Sequence, residues 1–231
     1  TLDPFKYPDD PRLVNSLETT YIRYIDGKKF MYLTNMYSEF LCVYRFDGEI
    51  AVPCAFFSVG WDGQWEKYSW QIDKRPKINA TEGSRWLWRD NNGDGQVQKE
   101  EFTAYDIKYP YIKGIEIDNN GNVYLGSRFL CYFPANGLDE NGVPNYSSAA
   151  MVTTNSPYTY SGGDMSRIEY VDETDVMYFG TGDGYPYFSD ILKFKDWSKG
   201  ISVPDTLRLG QNTTTFTADD KYIYVNIGFG G

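Results

Sequence analysis

The sequence predicts an all-β protein, a β-propeller with blades of about 45 residues. First, four hairpins repeat one pattern, in which a strand, an acidic turn and a strand centred on an aromatic residue follow one another. Second, the aromatic residues Tyr44, Trp88 and Tyr132 of successive third strands are each 44 residues apart. Third, 18% of the 231 residues are aromatic and helical apolar periodicity is scarce, which favours short strands around a large core.

Each hairpin turn carries an aspartate, and in most copies a third strand follows the hairpin. The hairpins are Tyr21–Ile25 with Phe30–Leu33, Gly114–Ile117 with Val123–Leu125, Arg167–Tyr170 with Val176–Phe179, and Thr215–Thr217 with Tyr222–Val225. The third strands are Phe40–Phe46, Trp86–Trp88, Phe129–Phe133 and Ile191–Phe194. Several of these strands are apolar throughout, which is typical of blades that neighbouring blades cover on both faces.

The repeats divide the chain into four blades and part of a fifth. The predicted blades are residues 20–60, 61–110, 111–160 and 161–212, with a partial blade at 213–231. One interpretation is a longer parent protein, which a first residue other than Met also favours. The alternative is closure of the ring by the N-terminus. The third and fourth strands of the partial blade would then come from Phe5–Tyr7, Pro8–Pro11 and Arg12–Val14.

Residues 90–101 have the pattern of an EF-hand-type calcium loop. Gly95 occupies the sharp turn at loop position six. Calcium prefers oxygen ligands, whereas zinc would prefer Cys or His, and neither lies nearby. The predicted ligands are Asp90, Asn92 and Asp94 through their side chains, Gln96 through its carbonyl, Gln98 directly or through a water, and Glu101 through both carboxylate oxygens. The alternative is a solvated turn that holds no metal.

The segments around this loop are unusual for a helix–loop–helix protein. Ser84–Arg89 is short and aromatic, which favours a strand. Lys99–Phe102 could begin a short helix after the loop. The sequence contains no second loop of this kind, although EF-hands usually occur in pairs. The pattern therefore indicates a single calcium loop inserted into a β-fold.

The repeats resemble a known family. Asp118–Leu125, followed by Cys131–Gly137, is similar to NHL-type propeller repeats, as is Tyr44–Gly48. Trp88–Gly95 with Glu101 and Phe102 resembles the calcium loop of some secreted bacterial propellers of that kind. The resemblance implies a propeller fold, an extracellular location and bound Ca²⁺. It does not imply a reaction.

Charge and composition narrow the function classes. A net charge of −10 argues against a nucleic-acid partner, because such proteins carry basic faces. The absence of His removes Ser-His-Asp and Cys-His catalysis and every His-ligated metal site. No apolar run approaches the ~18 residues of a membrane-spanning helix. We expect a secreted or cell-surface protein.

Cys42 and Cys54 flank the turn at Asp47 and Gly48. If a three-residue loop joins the two strands, the two cysteines face each other and could form a cross-strand disulfide. The alternative is that both are small core thiols, as Cys131 would be at the same repeat position as Cys42. Candidate glycosylation sites lie at Asn79, Asn145 and Asn212.

Two loop-like segments are rich in aromatic residues that could stack on sugar rings. The candidate ligand-binding residues are Trp61, Trp65, Trp70, Tyr185 and Tyr187. The alternative is that these side chains fill the core between blades.

Two functions remain. The favoured one is a calcium-stabilised propeller that serves as a binding or structural module of a cell-surface or extracellular assembly. Its neighbours would be proteins or carbohydrate, within a larger chain or an assembly of identical copies. The alternative is a carbohydrate-active propeller enzyme, a polysaccharide lyase or glycoside hydrolase that uses carboxylates. We expect no catalytic residue in 1–231, because no pair of carboxylates has a spacing that singles it out.

Overall fold

The computed structural model describes residues 1–35, 38–59, 73–75, 84–106, 112–155, 164–182, 188–200 and 203–227. Over these residues the chain forms antiparallel strands and short 3-10 turns, with no α-helix, which confirms the all-β prediction. The strands are β1 (Thr19–Ile25), β2 (Lys28–Thr34), β3 (Phe40–Asp47), β4 (Ile50–Ser58), β5 (Ser84–Arg89), β6 (Phe102–Asp106), β7 (Gly114–Ile117), β8 (Val123–Gly126), β9 (Phe129–Phe133), β10 (Val152–Asn155), β11 (Asp164–Val171), β12 (Val176–Gly182), β13 (Phe188–Lys195), β14 (Asp205–Ala218) and β15 (Ile223–Ile227).

The strands form three sheets, and neighbours in the sheets are also neighbours in the chain. Strands β1 to β6 make a six-stranded sheet, β7 to β10 a four-stranded sheet and β11 to β15 a five-stranded sheet. Two-residue turns join β1 to β2 and β3 to β4, and a turn this tight can join only antiparallel strands.

The chain divides into two compact units. The first comprises Thr1–Ile112, Asn119–Asn122 and Tyr132–Val152, and the second comprises Lys113–Asp118, Val123–Cys131 and Thr153–Gly231. The first unit contains a buried cluster of Leu33, Phe40, Cys42, Tyr44, Ala51, Phe56, Trp86, Trp88 and Val97. The second contains a cluster of Val171, Val176, Tyr178, Phe188, Ile191 and Phe216.

All four predicted hairpins are confirmed. Strand β1 pairs with β2, β7 with β8, β11 with β12 and β14 with β15. The first hairpin shows the local cause. Asp26 and Gly27 have φ of 49° and 75° between the paired residues Ile25 and Lys28. Two successive positive φ values match the right-handed twist of the flanking strands, and Asp-Gly adopts them readily.

The sheets do not separate at every predicted blade boundary. Strand β5 pairs with β4 through Phe56 and Trp88, so one sheet continues from the first predicted blade into the second. Strand β14 runs without a break from Asp205 to Ala218, across the boundary predicted at residue 212. The number and limits of the blades stay a prediction.

The strands expected at the N-terminus are absent from the structure. Residues 4–6 form a turn, and Pro11–Leu13 form a 3-10 turn that Asp10 caps by accepting a hydrogen bond from the Arg12 amide at 2.8 Å. The prediction that these segments supply strands to close a ring is therefore wrong. Proline supplies no backbone donor, which disfavours a strand in this proline-containing stretch.

The predicted disulfide between Cys42 and Cys54 is also wrong. Asp47 pairs with Ile50, so the turn has two residues instead of three. An irregularity between Val43 and Tyr44 then shifts the register and places Cys42 opposite Phe56. All three cysteines of the chain are free and buried.

We expect the three thiols to be inert in the folded protein. Burial raises the pKa of each thiol, to about 11 for Cys131, and the thiolate is the reactive form. A thiol reagent at pH 8 should therefore modify none of them in buffer and all three after unfolding. The melting temperature should not change on addition of a reducing agent. A fall of several degrees would restore the disulfide interpretation.

Candidate metal centre

The loop at residues 90–101 connects two paired strands. Strand β5 ends at Arg89 and β6 begins at Phe102, and Trp88 is the cross-strand partner of Phe102. The fully buried Trp88 side chain fixes the start of the loop in the core. The Asp90 amide continues this anchoring by donating to the Cys54 carbonyl at 3.0 Å. The prediction of a strand at Ser84–Arg89 is confirmed.

Side chains at loop positions one, three and five fold back onto the loop backbone. Asp90 Oδ2 accepts from the Gly95 amide at 3.0 Å, and Asn92 Oδ1 accepts from the Asp94 amide at 3.0 Å. Asp94 Oδ1 accepts from the Gln96 amide at 2.7 Å. The bonds of Asn92 and Asp94, each to the amide two residues on, are characteristic of Asx turns, whereas the Asp90 bond spans five residues and closes the first half of the loop.

Asp90 is the most unusual group in the loop. Its side chain is fully buried, and its Oδ1 atom has no hydrogen-bond partner. Burial raises the pKa of this carboxyl to about 6, although the Gly95 amide opposes the rise. A buried oxygen without a donor costs free energy, and a bound cation would remove that cost.

Gln98, at loop position nine, shows the same feature. Its Oε1 atom is buried without a partner, while its Nε2 atom donates to Asp94 Oδ2 at 2.9 Å. The two oxygens without donors therefore belong to two of the residues that the sequence predicts as calcium ligands. Carboxylate and amide oxygens are the donor set that suits Ca²⁺, so the residues of the loop fit this ion.

Glu101 has a different environment from the one expected. Its Oε2 atom accepts from the Trp88 indole at 2.8 Å and from the Gln98 amide at 3.1 Å, and Oε1 accepts from the Asn91 amide at 2.9 Å. A carboxylate oxygen has two lone pairs. Oε1 thus keeps one for a cation, whereas Oε2 has none, so bidentate ligation would require these hydrogen bonds to rearrange.

The acidic side chains of the loop are not gathered around one point. In the described part of the chain no three Asp, Glu, Cys or His side chains come together as a metal centre. Asp94 is exposed, and its Oδ2 atom accepts from the side-chain nitrogens Asn92 Nδ2 and Gln98 Nε2. The Gln96 side chain points elsewhere and donates to the Lys6 carbonyl at 2.5 Å.

The exit from the loop is shorter than expected. Lys99–Glu101 form a single 3-10 turn that passes directly into β6. The Gln98 amide donates to Glu101 Oε2, and the Glu101 amide donates to the Gln98 carbonyl at 3.3 Å, so these two residues close the turn. No exiting helix follows, because the hairpin pairing resumes at once.

Residues outside the loop hold its backbone, and the motif does not predict them. Arg45 donates through Nη2 to the Gly93 carbonyl at 2.6 Å, and Lys74 donates to the Val97 carbonyl at 2.8 Å. Buried Tyr7 lies against Gly95, so closely that an added Cβ would be 2.6 Å from the ring. The only feature of the sequence that could have pointed to the contact with Tyr7 is the requirement for Gly at loop position six.

The other predicted sites are mostly beyond the described residues. The predicted site residues that lie outside the described residues are Trp61, Trp65, Trp70, Tyr185, Tyr187 and Asn79. Asn212 lies within β14, but its side chain is not among those described. Asn145 is described, and its amide is occupied: Nδ2 donates to the Asn136 carbonyl at 3.3 Å and Oδ1 accepts from Arg89 at 3.0 Å. Glycosylation at all three positions stays a prediction.

Over the described residues no helix has the length and apolar character needed to cross a membrane.

No protein-family model matches this chain, and no curated protein matches it. Solved structures do. A chain of the mitotic checkpoint complex matches with 11% identity and a TM-score of 0.44, over 93% of this chain and 60% of that chain. Apo AztD from Citrobacter koseri matches with 14% identity and a TM-score of 0.41, over 89% of this chain and 67% of that chain. A luciferin-regenerating enzyme matches with 12% identity and a TM-score of 0.36, over 87% of this chain and 66% of that chain. Similarity at these levels assigns no function, so the function has to be inferred from the residues of this chain.

Proposed function

We propose that this chain is a secreted or cell-surface β-propeller, or part of one, that binds Ca²⁺ at residues 90–101 and serves as a binding or structural module. The observation that carries the calcium site is the buried Oδ1 atom of Asp90, which has no donor. The same loop supplies a second orphaned oxygen on Gln98. Both atoms belong to predicted ligand residues, and a hard cation with oxygen ligands would satisfy both.

The propeller is supported by the repeats and by the sheets. Four hairpins of one sequence pattern recur along the chain, and the strands pair in chain order within antiparallel sheets. Meandering antiparallel sheets of this kind are the building units of propeller blades.

A structural role for the ion is favoured over a catalytic one. A catalytic metal keeps an open position for water or substrate. The predicted loop offers about six or seven oxygens, which nearly fills the coordination shell of Ca²⁺. The loop also joins β6 to β5, which carries the buried residues Trp86 and Trp88, so fixing it would stabilise the packing of this hairpin. The partners of such a module would be neighbouring proteins or carbohydrate.

Thermal unfolding with and without Ca²⁺ tests the proposal. A ligand that binds only the folded state at 100 times its dissociation constant adds about 2.7 kcal/mol to the free energy of unfolding. For a chain of this size we expect Ca²⁺ to raise the melting temperature by about 5–10 °C over the value in EDTA. Mg²⁺ should give a smaller shift, because it demands a tighter octahedral shell. Equal melting temperatures in EDTA and millimolar Ca²⁺ would refute the calcium site.

A further inference from the structure

Arg89 connects the calcium loop to a second loop. Its side chain is largely buried, with 14% exposed, and it directly precedes the first predicted ligand, Asp90. On the calcium-loop side, Nη1 donates to Asn91 Oδ1 at 2.6 Å. On the other side, Nε donates to the Pro144 carbonyl at 2.8 Å, and Nη2 pairs with Asp139. One rigid guanidinium therefore holds both loops.

The second loop comprises residues 136–146 and is called the Asp139 loop below. Asp139 organises it, because its Oδ1 atom accepts from the amides of Asn141 and Val143, both at 2.9 Å. Its other oxygen, Oδ2, is the one that pairs with Arg89. A further bond joins the two loops, since Asn141 Nδ2 donates to the Asn91 carbonyl at 3.1 Å.

Asn91 is the point where both connections meet the calcium loop. It lies between the ligand positions Asp90 and Asn92, and its amide donates to Glu101 at 2.9 Å. An ion held by Asp90 and Asn92 would fix the backbone of Asn91 between them. It would thereby fix the two Asn91 acceptors, the carbonyl that accepts from Asn141 and the Oδ1 atom that accepts from Arg89. Without the ion, Asp90 Oδ1 is buried without a donor, which costs free energy and favours movement of that segment.

We infer that Arg89 transmits calcium occupancy to the Asp139 loop, so that Ca²⁺ orders a second surface segment besides its own loop. The inference rests on the proposed calcium site. Arg89 is a positioning residue here, because it contributes no ligand oxygen. Glu140 and Asn141 are exposed at the tip of the Asp139 loop. The surface whose order would depend on calcium is therefore a polar, acidic one.

Amide hydrogen exchange of the Asp139 loop, measured with Ca²⁺ or EDTA, tests the inference together with calorimetric titration of Ca²⁺. In the natural protein we expect the amides of Asn141 and Val143 to exchange at least about tenfold more slowly with Ca²⁺. Arg89→Lys should still bind Ca²⁺, but the slowing should fall below about twofold, because an ammonium cannot span the fork that a guanidinium does. Arg23→Lys, at a half-buried site in β1 outside both loops, is the control and should keep the full slowing.

The outcomes separate the two proposals. If the natural protein binds Ca²⁺ and these amides are unaffected, the inference is wrong and the calcium site stands. If Arg89→Lys keeps the tenfold slowing, Arg89 is not the connection and the inference is also wrong. If the titration shows no binding, both proposals fail. Should Arg89→Lys not fold, Asp139→Asn weakens the same pair from the other side and should likewise reduce the slowing.

Discussion

Replacing Asp90 with Asn should abolish most of the stabilisation by calcium while leaving the calcium-free protein as stable as before, or more so. The buried Asp90 carboxylate has one oxygen without a donor. Its neutral amide counterpart would cost less to bury, but it would lose the charge that attracts the ion. We expect Ca²⁺ affinity to fall on the order of a hundredfold. Melting temperatures in EDTA and in millimolar Ca²⁺ measure both effects at once.

Glu100→Gln is the matched control for this substitution. Glu100 is exposed and lies in the same loop, outside the predicted ligand positions. Glu100→Gln removes the same charge as Asp90→Asn but no predicted ligand. The variant should therefore keep the full rise in melting temperature on addition of Ca²⁺. A calcium shift in Asp90→Asn equal to that of the natural protein would contradict the assignment of Asp90. Equal losses in both variants would show that the loop acts only through its net charge.

Gly95→Ala should be strongly destabilising, and Gly27→Ala only mildly so. Both glycines have positive φ, 71° and 75°, where an L-residue with a Cβ costs about 1 kcal/mol. An added Cβ at Gly27 meets no atom within 4 Å, whereas at Gly95 it would lie 2.6 Å from the Tyr7 ring and 2.7 Å from Val52. The overpacked site adds strain, and we expect a loss of about 3 kcal/mol in total.

Denaturant unfolding in the presence of Ca²⁺ measures this difference. Gly27→Ala isolates the cost of backbone conformation, so the excess loss in Gly95→Ala reports the contact with Tyr7 and Val52. Similar losses in the two variants would mean that the N-terminal segment does not pack on the loop as the structure has it.

The features that the sequence predicts correctly are local ones. The hairpin at β1 and β2 follows from strand-forming residues on each side of Asp26 and Gly27, and no distant contact is needed to form it. The strand β5 is likewise evident from its own residues. Ligand candidates such as Asp90 also come from a local pattern, the fixed spacing of a calcium loop, and their binding of calcium stays a prediction.

The features that could not be predicted depend on contacts between distant segments. A turn of two residues instead of three removes the expected pairing of Cys42 with Cys54, and a further shift in register between Val43 and Tyr44 places Cys42 opposite Phe56. Nothing in the local pattern marks the position of that shift. The hydrogen bonds that occupy Glu101 depend on where Trp88 places its indole. Periodicity alone does not establish which sheet a strand joins, as the pairing of β5 with β4 shows.

A crystal structure determined in millimolar Ca²⁺ tests the central claim most directly. The proposal predicts one ion in the loop at residues 90–101, with Asp90 Oδ1 at about 2.3–2.6 Å and an oxygen of Gln98 ligating directly or through a water. Glu101 should then exchange at least one of its present hydrogen bonds for the ion. A loop without an ion, in which Asp90 Oδ1 still has no partner, would contradict the calcium site.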